Sequence, residues 1–194
     1  MDTNLETILF SGQHARLTPI VSGSKKGERA TCCLLSTFMV APEFAKQVLS
    51  EAGAPVGKQL HVECYTKVIF KSGNKSNNSR PDGFIVVNFG SEQWMALVES
   101  KIGNSQLSSE QIEGYLDLAR MHGINAVITI SNQFATPATH HPVEVNKNKL
   151  RSVQLYHFSW LSIVSIATLI SANKAFEDRE QSFLLSEFVR HLIE

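Results

Sequence analysis

Two short clusters hold the residue types that chemistry needs. Arg80-Pro81-Asp82-Gly83 is the first, and Glu99-Ser100-Lys101 follows it, with Glu99 seventeen residues after Asp82. Residues two apart on a strand share a face, so the Glu99 carboxylate and the Lys101 ammonium project together, while Val98 and Ser100 face the other way. Neighbouring strands of a hairpin lie about 5 Å apart, which lets Asp82 reach Glu99 across the pair. Two ionised carboxylates at that range repel each other unless a divalent cation relieves them. Hard oxygen donors with room for water suit Mg²⁺ or Mn²⁺. The same residues also have plainer readings: Asp82 as a turn-former in Arg-Pro-Asp-Gly, and Glu99 and Lys101 as a solvated strand end.

Several elements have to position these side chains. Ser24 is a candidate N-cap for a helix opening near Lys25, and the all-round apolar run Ala30–Val40 predicts burial on most sides. Pro42 suits the first turn of a second helix that ends at Gly53. Residues 59–70, 84–89 and 94–102 are β-branched and aromatic and are separated by polar turns, which predicts an antiparallel meander. Ser108 and Gln111 have the spacing of a capping box, and Ile112, Tyr115, Leu116 and Ala119 fall on one face of the helix it opens. Gly123 stops that helix. Residues 126–132 read as a strand buried on both faces, 152–158 as another, and Ser159 as the cap of an apolar helix starting at Trp160. The predicted fold is an α/β sandwich with a mixed central sheet flanked by helices.

Pro81-Asp82 followed by Glu99-Ser100-Lys101, each at a strand end, with Gln111 and Tyr115 on the next helix, resembles the PD-(D/E)XK nuclease superfamily; the Gln-x-x-x-Tyr spacing is similar to its RecB-like branch. The resemblance covers roughly residues 24–132. It implies a restriction-endonuclease-like core of helix, three-strand meander, helix and strand, with an extra C-terminal strand and helices. It also implies a metal-dependent hydrolase cutting phosphodiester bonds of nucleic acid, with DNA the expected substrate, in repair, recombination or defence. On that reading Asp82 and Glu99 hold Mg²⁺ or Mn²⁺, and the backbone carbonyl of Ser100 completes the coordination. Lys101 orients the attacking water or stabilises developing charge, and Gln111 positions the water or a phosphate. Tyr115 touches the nucleic-acid backbone, and Glu28 sits where many members carry another acidic ligand. Gln111, Tyr115 and Glu28 also have structural readings, as capping-box partner, core residue and first-turn acid favoured by the helix dipole.

Lys58, Lys67, Lys71, Lys75 and Arg80 face only Glu63 within residues 58–80, so this segment is either a phosphate-tracking edge or a solvated hairpin. The adjacent His140 and His141 read as surface residues before Pro142, Trp94 and Trp160 as packing residues, and Cys32 and Cys33 as buried small apolar residues. The chain divides on this reading into a lead-in at 1–23, a nuclease-like domain at 24–172 and a C-terminal helical extension at 173–194. The amphipathic helix Phe183–Glu194 has no capping glycine, and reads either as leading to a further C-terminal domain or as pairing with a partner.

A chain of 194 residues with 43% apolar content supports a packed core, and its zero formal net charge supplies no global field for nucleic acid. Three cysteines, two of them adjacent, make no disulfide framework and fit a reducing, cytoplasmic setting. No stretch reads as a signal peptide or a membrane span, so no membrane is expected as a partner. Oligomeric state stays open; many enzymes that cut two strands pair two sites, which keeps a homodimer among the alternatives. The competing function is a catalytically inactive nuclease-fold module for nucleic-acid binding or protein assembly.

Overall fold

The computed structural model describes residues 8–15, 25–57, 59–71, 80–134, 137–172 and 178–193. Strands β1 (Leu9–His14), β2 (His61–Phe70), β3 (Gly83–Phe89), β4 (Glu92–Ser100), β5 (Ala126–Ser131) and β6 (Gln154–Ser159) form a single sheet in chain order. β1 to β4 pair antiparallel, and β4, β5 and β6 pair parallel. The mixed sheet and the order of its elements are those of the restriction-endonuclease-like core expected from the sequence.

Alternation along the strands divides the side chains between two cores. Ile85, Val87, Ala96, Val98, Ala126 and Ile128 face α1 (Lys26–Val40), α2 (Pro42–Glu51), α4 (Trp160–Ala172) and α5 (Arg179–Ile193). Phe84, Val86, Met95, Leu97 and Val127 face α3 (Ser109–Met121). Helix α1 is buried from Ala30 to Phe38 because it lies between the sheet and α5. Its interior hydroxyls, Ser36 and Thr37, satisfy themselves by donating to the carbonyls of Cys32 and Cys33. β5 is buried at all six positions, as a parallel strand covered on both faces should be. The three cysteines are buried thiols.

Two expectations need correction. Residues 9–14, within the expected lead-in, form an edge strand of the sheet. The C-terminal helix is part of the core rather than an extension: Leu185 and Phe188 are buried on the α1 side, and Phe188 meets Phe44 with ring centroids 5.7 Å apart. The connection before β6 contains a 3₁₀ turn, Lys147–Arg151, pinned where Lys149 reaches Asp117 on α3 at 2.6 Å. The proposed caps divide: Ser159 Oγ accepts from the Ser162 N–H at 3.0 Å, whereas Ser24 lies outside the described residues. Among the described residues no single helix is long and apolar enough to cross a membrane.

Candidate active site

Asp82 stands immediately before β3, behind a buried Pro81. The pairing of Gly83 with Val98 puts Asp82 level with Glu99 at the end of β4. Helix α1 comes so close here that a Cβ on Gly83 would overlap Leu35 Cδ1, so the glycine after Asp82 is set by packing as well as by the turn. Asp82 Oδ2 accepts from the Ser100 N–H at 2.9 Å and from the Ser100 hydroxyl at 3.3 Å. That hydroxyl also meets Thr31 Oγ1 of α1, and Thr31 donates to the Gly27 carbonyl at 3.0 Å. The acid is thus fixed by β4, and the end of β4 is fixed by α1.

Glu99 is 2% exposed and accepts from three side chains. Oε1 takes Lys101 Nζ at 2.6 Å and Gln111 Nε2 at 2.8 Å, and Oε2 takes the Tyr115 hydroxyl at 2.9 Å. Gln111 also donates to the Tyr115 oxygen at 2.9 Å, and the Arg80 carbonyl lies 3.0 Å from that hydroxyl as an alternative acceptor. Gln111 splits its polar groups between two partners. Its backbone N–H makes a long 3.5 Å contact with capping Ser108, while its side chain enters the cluster instead of closing the box. Tyr115 packs its ring in the α3-side core and places its hydroxyl on Glu99.

Burial and the Glu99 charge push the Asp82 carboxyl up to about 6, against the bonds from Ser100 and the Lys101 charge. Burial, with the Glu99 charge behind it, also drives the Tyr115 phenol far above its ordinary range, so it remains a neutral donor. Burial alone would raise Glu28, but Lys25 and Lys67, at 3.1 and 3.2 Å, outweigh it and hold that carboxyl below its usual value. Lys67 reaches Glu28 from an irregularity between β1 and β2, where its φ of 55° lies in the left-handed region. Glu28 therefore has a lysine on each of its two oxygens, Lys67 on Oε1 and Lys25 on Oε2.

The donor set suits a hydrated divalent cation. A carboxylate offers about four acceptor positions, and Glu99 uses three of them. Asp82 takes both Ser100 bonds on Oδ2, leaving Oδ1 for a further partner. Among the described residues no group of three or more His, Cys, Asp or Glu side chains is placed to cage a metal. Two carboxylates with water filling the remaining positions is the manner of Mg²⁺.

The expected residues therefore divide. Glu99, Lys101, Gln111 and Tyr115 form one hydrogen-bonded cluster, and Asp82, bound to Ser100, stands level with it. Glu28 is engaged with Lys25 and Lys67 on the α1 side. Arg80 brings its backbone carbonyl to the cluster, and Lys71 is exposed at the end of β2. Lys75 and Lys58 lie outside the described residues.

Sequence reasoning missed two supports. Trp160 is a packing residue, but its Nε1–H also donates to the Lys101 carbonyl at 2.9 Å. His141 is not a surface residue: it is partly buried, and its Nε2 lies 2.7 Å from Thr129 Oγ1. Thr129 sits beside Glu99 in register, and its Oγ1 lies 2.9 Å from Nδ1 of the fully buried His157. His157 Nε2 must donate to the Gln133 carbonyl at 2.9 Å, so its Nδ1 accepts from Thr129. Thr129 Oγ1 has the Tyr156 carbonyl at 3.2 Å as an alternative acceptor and also meets His141 Nε2, while His141 Nδ1 lies 3.2 Å from both the N–H and the carbonyl of Val143. Burial lowers both histidines, His141 to about 4, which keeps this neutral chain intact near pH 7. The available signal was Thr129 within the apolar run Ala126–Ile130, and His157 beside Phe158 near the end of β6.

No family model matches this sequence, and no curated protein matches it. Among solved structures, one described as MspJI restriction endonuclease in complex with a 27-mer oligonucleotide superposes with a TM-score of 0.40 at 13% identity. The match covers 89% of this chain, which spans 39% of the length of the other. A likeness this loose carries no weight for function, and the case rests on the geometry of the site.

Proposed function

We propose that this chain is a Mg²⁺-dependent nuclease that hydrolyses phosphodiester bonds, with DNA as the preferred substrate. The observation that supports this reading is the convergence of Lys101, Gln111 and Tyr115 on the buried Glu99 carboxylate, level with an Asp82 that is costly to ionise. A structural ion pair needs one acid and one base, and a second acid facing the first adds only repulsion until a cation joins them. Asp82 and Glu99 would hold the ion, with the Ser100 carbonyl as a further donor. Bound there, Mg²⁺ supplies a water of lowered pKa and a Lewis acid for the phosphate. Lys101, tethered by Glu99 and by Trp160 on its carbonyl, would hold its ammonium beside the attacked phosphate. Gln111 would release one amide hydrogen to the water or a phosphate oxygen. Glu28, already paired with Lys25 and Lys67, would reach a cation only through water.

The test is cleavage of labelled single- and double-stranded DNA and RNA by wild type, Asp82→Ala, Glu99→Ala and Lys101→Ala, with Mg²⁺ and with Mn²⁺. Metal-dependent cleavage by wild type, lost by about a hundredfold or more in each folded variant, is expected. Cleavage that survives in Asp82→Ala, or wild type that neither cuts nor binds metal in calorimetry, overturns the proposal.

A further inference from the structure

Among the described residues, Lys67 is the only one other than glycine with a positive φ. Between the pairs Gln13–Thr66 and Ser11–Ile69, β2 holds Lys67 and Val68 where β1 holds Gly12 alone, so Lys67 sits in a bulge. Glycine is the usual occupant of a left-handed bulge position, and a lysine there is strained. Its neighbours Thr66 and Val68 stay buried, while the Lys67 side chain turns to α1 and brings Nζ to Glu28 Oε1 at 3.2 Å. The Lys67 side chain is 49% exposed, and an exposed ion pair stabilises by less than a left-handed lysine costs. Pairing and packing therefore do not explain a lysine at this position.

Two independent paths place Lys67 beside Asp82. Along the sheet, Thr66 pairs with Gly83, and one step beyond that pair stand Lys67 on β2 and Asp82 ahead of β3. Through α1, Asp82 Oδ2 accepts from the Ser100 hydroxyl, that hydroxyl meets Thr31, and Glu28 lies one helical turn before Thr31 on the same face. The Lys101 ammonium is held by Glu99 on the α3 side, so Asp82 has a lysine on each side of the sheet. Lys25, at the head of α1, meets the other Glu28 oxygen at 3.1 Å. Two ammoniums on one carboxylate leave a surplus positive charge, and an ammonium carries three N–H donors, so the contact with Glu28 leaves others for an oxyanion. Resting on the nuclease reading above, we propose that Lys67, with Lys25 beside it, binds the phosphate next to the scissile one in the substrate strand. Lys101 then holds one phosphate and Lys67 its neighbour, and Glu28 is the positioning residue that aims the lysines. A lysine on a phosphate reads no base, so this contact fixes the register of the strand and is blind to its sequence.

The probes are two labelled DNA duplexes of unrelated sequence and one strand of each, bound to the whole protein in EDTA and followed by anisotropy over a range of salt. Lys67→Gly removes the ammonium and suits the left-handed backbone, so it should melt no lower than wild type. Lys67→Arg keeps the charge. Lys46→Ala removes a lysine from α2, where it pairs with Glu43, and controls for net charge. Lys67→Gly is expected to weaken binding by about tenfold on both sequences and to lower the slope of log K against log salt by about one, while Lys67→Arg and Lys46→Ala stay within about twofold of wild type. With Mg²⁺, Lys67→Gly should raise KM and leave kcat close to wild type. Wild type that binds neither form, Lys67→Gly that keeps the wild-type affinity and salt slope, or a loss confined to one sequence overturns the proposal; metal-dependent cleavage in that protein leaves the nuclease reading standing. The expected losses in a protein that cuts nothing with Mg²⁺ or Mn²⁺ keep Lys67 as a backbone contact while the nuclease reading falls.

Discussion

Replacing Asp82 with Asn tests the central claim without asking for turnover. Asn keeps an oxygen to accept the Ser100 N–H and removes the charge that faces Glu99. In the metal-free protein the Asp82 carboxyl is held at about 6, against an ordinary value of 3.8. A gap of about two units at about 1.4 kcal/mol each makes ionised Asp82 cost the fold at most about 3 kcal/mol. The sign follows from proton counting. The folded value lies above the unfolded one, so the folded state holds the extra proton between about pH 4 and pH 6, and stability from this group is lost as pH rises through that window. Asp82→Asn should therefore change little near pH 4 and stabilise the EDTA-treated protein by about 1–3 kcal/mol near pH 7.5, or roughly 2–10 °C in Tm for a chain of this size. With about 10 mM Mg²⁺ and a Kd near 1 mM, wild type should recover about 1.4 kcal/mol while the variant gains nothing. Thermal melting of both proteins at the two pH values, with and without Mg²⁺, measures all of this. An Asp82→Asn protein less stable than wild type in EDTA near pH 7.5 would show that the carboxylate is a structural acceptor, and an equal Mg²⁺ response in both would remove Asp82 from the metal site.

Three further outcomes are expected. Tyr115→Phe keeps the buried ring but leaves Glu99 Oε2 without its donor, so unfolding in urea should show a loss of about 1–2 kcal/mol, and activity should fall with it; unchanged stability would mean that water replaces the hydroxyl. Gly83→Ala drives a methyl into Leu35 and should cost about 1–3 kcal/mol, part of which returns in the Gly83→Ala, Leu35→Ala double variant; additive losses would place the strain elsewhere. Thr129→Val breaks the His141–Thr129–His157 chain at its middle and should cost about 1–3 kcal/mol, with the His157 Nε2–H retained in nitrogen NMR; protonated Nδ1 on His157 in wild type would reverse the assigned direction of the chain.

Most of the site could be read from the sequence, because strand alternation and helix spacing are local rules. Asp82, Glu99 and Lys101 needed only the two-residue period and a hairpin, and Gln111 and Tyr115 needed only one helical turn. What the sequence left undecided was which of two partners a side chain would choose. Gln111 satisfies a cap with its backbone and the cluster with its amide, a division that no spacing reveals. β1 escaped notice because five of its six residues are exposed and its pairing with β2 is irregular, so it shows no alternation. The C-terminal helix was legible as amphipathic, but the surface that receives its apolar stripe is built by the preceding α4 together with α1, which is far away in the chain. Trp160 supports Lys101 across 59 residues through a backbone carbonyl, and a carbonyl has no side-chain identity to read.

The donors that quiet Glu99 belong to parts of the molecule that open at different rates. β4 is paired on both edges, antiparallel to β3 and parallel to β5, and its amides should exchange with solvent only in the global unfolding. Gln111 and Tyr115 ride on the first two turns of α3, whose opening residues Ser109 and Glu110 are exposed. Helix ends fray far more readily than central strands, so the free protein should pass through brief openings in which Glu99 keeps Lys101 but loses its neutral donors. On the proposed metal reading, a cation held by Asp82 and the unused position of Glu99 would fix the carboxylate on which α3 closes. Deuterium uptake across residues 109–115 should then slow when Mg²⁺ is added, while uptake in β4 stays as it was.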